Sequence, residues 1–177
     1  MQVLASHIGP VNAGSFTQDG DYVDLLFWIP LKVFQGKKVL TGSECLLLTT
    51  PTSDSPILKL TPADGRFALE GGITSLAVNA SNTLAVVGGA NGAVRVVSLS
   101  KGDVVGSLEG HREAESIEGV AWMEYAGTEV AVTGGTDGKV CVWDLGTMRL
   151  RSTLEHSVSI TTSVAHVIVT VSVARTL

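Results

Sequence analysis

The chain has 177 residues, 45% hydrophobic and only 16% charged, with 20 glycines and a formal charge of −5. That length suits one domain or a little more, and with a mean hydropathy of +0.34 there is ample apolar surface to bury, which excludes an intrinsically disordered chain. The balance of 17 Asp and Glu against 12 Lys and Arg argues against direct nucleic-acid binding through a broad basic face and favours basic partners.

Met1 to His7 lack the basic start and apolar run of a signal peptide. The most apolar stretch, Val23 to Phe34, is interrupted by Asp24, Pro30 and Lys32 and falls short of the ~20 residues needed to span a bilayer. Cys45 and Cys141 lie far apart with no metal-binding spacing, which suits a reducing compartment. These features predict a soluble protein without a membrane contact, cytoplasmic or, as a second location, nuclear.

The elements follow from an internal repeat. Leu84-Ala85-Val86-Val87-Gly88-Gly89-Ala90-Asn91-Gly92-Ala93-Val94-Arg95-Val96-Val97 is matched 46 residues later by Val130-Ala131-Val132-Thr133-Gly134-Gly135-Thr136-Asp137-Gly138-Lys139-Val140-Cys141-Val142-Trp143. Each window reads as an apolar strand, a glycine-rich turn and a second, alternating strand.

In chain order, residues 1–70 form a degenerate first unit. Val11 to Phe16 is its leading strand, and Val39-Leu40-Thr41-Gly42 aligns Gly42 with Gly88 at the same offset. Residues 21–36 have no counterpart and read as an insertion, either translated non-coding sequence or a partner-binding loop. After Gly42 the expected turn is two residues short, and Thr49-Thr50 stand where the best copy has Trp143-Asp144.

Residues 71–110 form the second unit, with strands expected at Ile73 to Val78, across the hairpin, and at Val104 to Leu108. Residues 111–155 form the third, with Ile117 to Met123 leading and Leu150 to Leu154 closing. Asn79 to Thr83 and Glu124 to Thr128 are their first turns. The second turns, Asn91-Gly92 and Asp137-Gly138, are expected to be type I′. Residues 156–177 begin a fourth unit at Ile160 and stop within it. Four short strands in about 40–45 residues is the size of one β-propeller blade.

Gly110-His111, followed by Gly134-Gly135-Thr136-Asp137-Gly138-Lys139 and then Trp143-Asp144, is the WD-repeat signature. The chain therefore resembles a WD40 β-propeller: all-β, about three to four blades of four antiparallel strands, with the ring incomplete. Gly71-Gly72-Ile73-Thr74-Ser75-Leu76-Ala77-Val78, Gly92 to Leu99 and Val132 to Leu145 look, more narrowly, like fungal members of the angio-associated migratory cell protein family. That family's yeast relative is a ribosome-assembly chaperone. The resemblance implies a non-catalytic scaffold that escorts a basic large-subunit ribosomal protein on an acidic propeller face. A generic WD40 adaptor in ubiquitin ligation, trafficking or signalling is the alternative. An incomplete ring is expected to expose apolar faces at both ends and to be marginally stable.

His111, Thr133, Asp137 and Trp143 occupy repeat positions, which accounts for them as a hydrogen-bonded blade network. The catalytic alternative, a His–Asp pair with Ser116 or Thr133 as nucleophile, has less to support it, and no catalytic residue is assigned. Gly134 to Lys139 lacks the spacing and the following helix of a phosphate loop. His7, His111 and His156 recur with the repeat, and His166 has no partner at ligand spacing, so neither a metal site nor a cofactor is expected. Asn79-Ala80-Ser81 matches a glycosylation acceptor. Cys141 shares a strand face with Trp143 as a small core residue. The densest charge cluster, Glu109 to Glu118, provides the candidate partner-binding residues Glu113, Glu115 and Glu118, three carboxylates suited to a Lys- and Arg-rich protein segment.

Overall fold

A computed structural model describes residues 11–16, 38–43, 45–49, 57–61, 69–157 and 160. Among these, twelve strands form three separate four-stranded antiparallel sheets and there is no helix. The first sheet contains β1 (Ala13–Phe16), β2 (Val39–Gly42), β3 (Leu46–Thr49) and β4 (Leu58–Leu60). The second contains β5 (Ile73–Val78), β6 (Leu84–Gly89), β7 (Val94–Ser98) and β8 (Asp103–Leu108). The third contains β9 (Ile117–Tyr125), β10 (Thr128–Gly135), β11 (Lys139–Asp144) and β12 (Arg149–Glu155). In each sheet the spatial order follows the chain order. The insertion expected at 21–36 and nearly all of the fourth unit lie outside the described residues.

Burial explains the strand compositions. β6 has a neighbouring sheet on each face, and β10 has the second sheet on one face and Ile160 on the other, so both strands are almost continuously buried and read as apolar runs rather than alternations. The fourth strands lie on the outside: β8 alternates and β12 is exposed along its length. Val86, Val94, Val96, Leu108 and Ile117 join Ala131, Cys141 and Trp143 in one cluster between the second and third sheets. Leu40, Leu46 and Leu48 join Ile73, Val87 and Val97 between the first and second.

The sheets are locked together at one recurring position. Gly42 on β2 lies against Ile73 on β5, and Gly88 on β6 against Ile117 on β9. A Cβ on either glycine falls 2.5 Å from the isoleucine Cγ2. Hydrogen bonds repeat beside these seats. Asn12 Nδ2 donates to the Ile73 carbonyl (3.1 Å), and in the next sheet Thr74 and Ser75 hydroxyls donate to the Ile117 carbonyl (2.6 and 2.8 Å). The Ile73 N–H donates to the Ser43 carbonyl, and the Ile160 N–H donates likewise to Gly135, which stands at the same repeat position as Ser43. Ile160 is buried with Val130, Val132 and Val140. It thus occupies on the third sheet the place that Ile73 and Ile117 take on the first and second.

The turns correct two expectations. Gly92 and Gly138 have positive φ (81° and 77°), but Asn91 and Asp137 do not, so these hairpins are not type I′. Each is closed by an i to i+3 bond, Gly92 N–H to Gly89 and Gly138 N–H to Gly135, and is followed by the left-handed glycine of a bulge. The reason is the side chain before the glycine. Asn91 Oδ1 accepts from Ala93 N–H (3.2 Å) and Asp137 Oδ1 from Lys139 N–H (3.0 Å), an Asx-type bond that holds that residue at negative φ. The first turn of the third sheet is not Glu124 to Thr128. β9 and β10 run on to Tyr125 and Thr128, leaving Ala126 and Gly127, both at positive φ (51° and 74°), as a two-residue turn of the primed kind.

Other turns carry their own polar anchors. The buried Asn79 accepts from Thr83 and Leu84 N–H and donates to the Ser81 and Thr83 hydroxyls. The glycosylation-like triplet is therefore a turn whose amide is fully engaged. Asp144 Oδ1 accepts from Thr147 N–H (2.8 Å) and its hydroxyl (2.9 Å). In the second sheet Ser98 takes the same place, accepting from Lys101 N–H (3.2 Å).

Gly88→Ala is expected to destabilise the fold by about 1–3 kcal/mol, because Ile117 must move from a filled core. Gly14→Ala, whose nearest neighbour is the Leu40 carbonyl oxygen at 3.8 Å, should be neutral or slightly stabilising. Urea denaturation of the two variants checks the difference.

Candidate interaction site

The site lies at the end of the sheets where the β6–β7 turn, the β10–β11 turn and the β8–β9 connection meet. Gly110 makes room for the Trp143 indole, since a Cβ there falls 2.7 Å from Cη2. The next residue, His111, places its ring between β10 and the β10–β11 turn. Its Nε2 lies 2.7 Å from Thr133 Oγ1, and its Nδ1 lies 3.1 and 3.2 Å from the two Asp137 oxygens. Trp143 Nε1 donates to Thr133 Oγ1 at 2.8 Å.

One proton arrangement satisfies every partner. The indole N–H donates to the Thr133 oxygen, the Thr133 O–H donates to His111 Nε2, and His111 Nδ1–H donates to Asp137. That assignment requires a neutral imidazole. Burial, the largest influence, holds the His111 pKa below its ordinary 6.5, against the opposing pull of Asp137. The contact is therefore a hydrogen bond to a carboxylate rather than an ion pair. Burial pushes Asp137 upward, but the N–H groups of Arg112 (2.9 Å) and Lys139 (3.0 Å), together with His111, outweigh it and leave the carboxyl below 3.8.

The structure thus brings His111, Thr133, Asp137 and Trp143 into one chain of bonds. Thr133 has no exposed surface, which is incompatible with attack on a substrate. Cys141 packs against Trp143 in the same cluster, and burial raises its thiol pKa to about 11, so it stays protonated. Among the described residues no three His, Cys, Asp or Glu side chains are grouped to hold a metal.

The connection from Glu109 to Ser116 is pinned on both sides. Ala114 N–H donates to the Asn91 carbonyl of the second sheet, and Thr136 N–H of the third sheet donates to the Ser116 carbonyl. Thr136 Oγ1 also donates to Glu115 Oε2 at 2.7 Å. Beside the connection opens a cleft of about 630 Å³ lined by Glu70, Glu109 and Glu113, with Arg95, Leu108 and His111 also on its wall. Arg95 Nη1 donates to its neighbour's carbonyl, Val94 O (3.2 Å). Three carboxylates against one guanidinium give the cleft an acidic character.

The three candidate carboxylates therefore separate. Glu113 lines the cleft, Glu115 is tied to Thr136, and Glu118 lies on β9 rather than in the loop. Glu70 and Glu109 take the places of the other two. Glu109 belonged to the same charge cluster in the sequence, but nothing local marked Glu70, which approaches from the connection before β5.

Removing the Thr133 hydroxyl with Thr133→Val orphans the Trp143 N–H and His111 Nε2, an expected loss of about 1–3 kcal/mol for each buried group; Thr133→Ser should retain most of the stability. Acidification should destabilise in two steps. As pH falls below 6.5, the unfolded chain takes up a proton that the buried His111 refuses, so stability declines until the folded pKa is passed. Below pH 3.8, Asp137 repeats the effect, because its folded carboxylate stays ionised after the unfolded one has protonated. Urea midpoints measured against pH for the native chain and His111→Gln check this, with the upper step absent in the variant.

Comparison with known proteins agrees with this geometry. The profile of the family described as the DDB1- and CUL4-associated factor 12 beta propeller matches residues 54–174. An uncharacterized WD repeat-containing protein of Schizosaccharomyces pombe is 28% identical over 163 residues, covering 88% of this chain and 36% of the relative. The crystal structure of Chaetomium thermophilum Sqt1 superposes with a TM-score of 0.66 at 27% identity, over 85% of this chain and 36% of that one. The structure of U3-55K gives a TM-score of 0.71 at 14% identity, over 89% of this chain and 43% of that one, a likeness of fold alone. The chain therefore spans well under half the length of the relatives it matches. With the profile covering more than half of its residues, and with its repeated four-stranded sheets and His–Thr–Asp–Trp bonds, the protein belongs to the DDB1- and CUL4-associated factor 12 beta propeller family of WD40 β-propellers.

Proposed function

We propose that this chain is a non-catalytic scaffold that holds a basic polypeptide segment, that of a large-subunit ribosomal protein, as an escort during ribosome assembly. The observation that carries the reading is the acidic cleft walled by Glu70, Glu109 and Glu113 at the end of the sheets. The likeness of the repeats to the angio-associated migratory cell protein family supports the partner class, and the net charge of −5 favours the approach of a basic segment. The cleft walls are held by buried bonds, so a bound segment meets a surface already in place and little ordering opposes association. Such a partner would be met in the cytoplasm or, at later assembly stages, in the nucleus.

Titration calorimetry with a Lys- and Arg-rich peptide tests the proposal. Binding is expected at low salt and should weaken as salt screens the charges. Exposed pairs contribute about 0–1 kcal/mol each, so the triple variant Glu70→Gln, Glu109→Gln, Glu113→Gln should bind about tenfold more weakly. An affinity unchanged by the triple variant, or by salt, sinks the reading.

A second reading is an adaptor in ubiquitin ligation, favoured by the description of the matching family, whose members are named for association with DDB1 and CUL4. Capture of purified DDB1 by this chain, insensitive to the triple variant, would support it over the escort.

A further inference from the structure

The charges of the cleft are layered by exposure. Glu70, Glu109 and Glu113 stand on connections and are exposed, whereas Arg95 stands on β7 and is half-buried between the buried Val94 and Val96. A segment entering the cleft therefore meets carboxylates first and a guanidinium further in.

Comparison within the repeat shows that the blade does not require a cation there. Val94-Arg95-Val96 aligns with Val140-Cys141-Val142, and Cys141 is fully buried in the cluster that holds Ala131 and Trp143. The second sheet thus replaces a small core residue with a guanidinium on a strand whose other side chains are apolar or small. Withdrawing a cation from water is costly, and one bond from Nη1 to the Val94 carbonyl (3.2 Å) helps to hold it in place. A ligand Lys or Arg brought against Arg95 adds a like charge where salt screens less than at the exposed mouth. A ligand carboxylate brought there gains a charge-assisted bond that a guanidinium can make in two-pronged form.

We propose that Arg95 sets the charge pattern of the partner: the cleft selects a basic segment that carries an acidic side chain, whose carboxylate pairs with Arg95 while flanking Lys and Arg side chains meet Glu70, Glu109 and Glu113. This inference rests on the reading of the cleft as a site for a basic segment, and it names the feature that distinguishes one such segment from another.

Titration calorimetry with two peptides of equal length and equal net charge tests it. One peptide has only basic and neutral residues; the other has a central glutamate offset by one further lysine. The native chain is expected to bind the glutamate peptide about fivefold more tightly, and added salt should weaken both while leaving most of the preference. Arg95→Gln should abolish the preference, and Arg95→Lys, which keeps the charge, should retain part of it. A side chain that only packs its stem against the strand would give no preference to lose. Urea denaturation verifies that each variant stays folded. Equal binding of the two peptides by the native chain, or a preference that survives Arg95→Gln, overturns this inference and leaves the escort reading standing. Failure of both peptides to bind overturns the escort reading and this inference with it.

Discussion

A β-sheet with apolar residues on both faces is stable only when something covers each face, and here the cover is the next sheet along the chain. The contact that permits it is the isoleucine of one first strand against the glycine of the preceding sheet's second strand. With no Cβ at Gly42 or Gly88, the backbones approach closely enough for Ile73 and Ile117 to close the core edge. The adjacent carbonyls then receive hydroxyl or amide donors from the preceding sheet. Apolar seat and hydrogen bond reinforce each other, because the seat excludes water and an unpaired carbonyl there would be costly.

The buried bonds of His111, Thr133, Asp137 and Trp143 serve a different purpose. They belong mainly to one sheet, yet they fix the connection that enters it. His111 and the Arg112 N–H hold that connection to Asp137, while Ala114 N–H holds it to Asn91 of the sheet before. Function and stability meet here, since the loop that carries Glu109 and Glu113 takes its shape from the same bonds. In the second sheet Val87 and Val97 occupy the places of Thr133 and Trp143 and are buried in the apolar cluster. The same backbone thus accepts an apolar or a hydrogen-bonded filling, provided that the polar filling is complete.

The hairpins show where local chemistry and sheet geometry divide the work. The second turn of each unit lies between paired glycines, and its position was plain from the repeat. Its type was not, because the choice between a primed turn and a bulged one rests on whether the Asn91 and Asp137 side chains reach the N–H two residues on. In the second sheet Val97-Ser98 stand where the third has Trp143-Asp144. Ser98 nevertheless performs the turn-capping of Asp144, since a hydroxyl and a carboxylate both accept from an N–H three residues ahead.

The sequence by itself determined the all-β class, the repeat of four strands, most strand positions from Ile73 to Leu154, and the four residues of the buried network. These follow from period-two patterning and a fixed offset of 46 residues, which act over short stretches and need no knowledge of the stacking. Only the tertiary structure decided which carboxylates share a cleft. Glu70 and Glu113 are brought to one wall by the packing of two connections, whereas Glu115 is turned aside to Thr136. It also decided which glycines are sockets, Gly42 for Ile73 and Gly88 for Ile117. Those outcomes depend on how separate sheets lie against each other, and no local pattern in the chain encodes that arrangement.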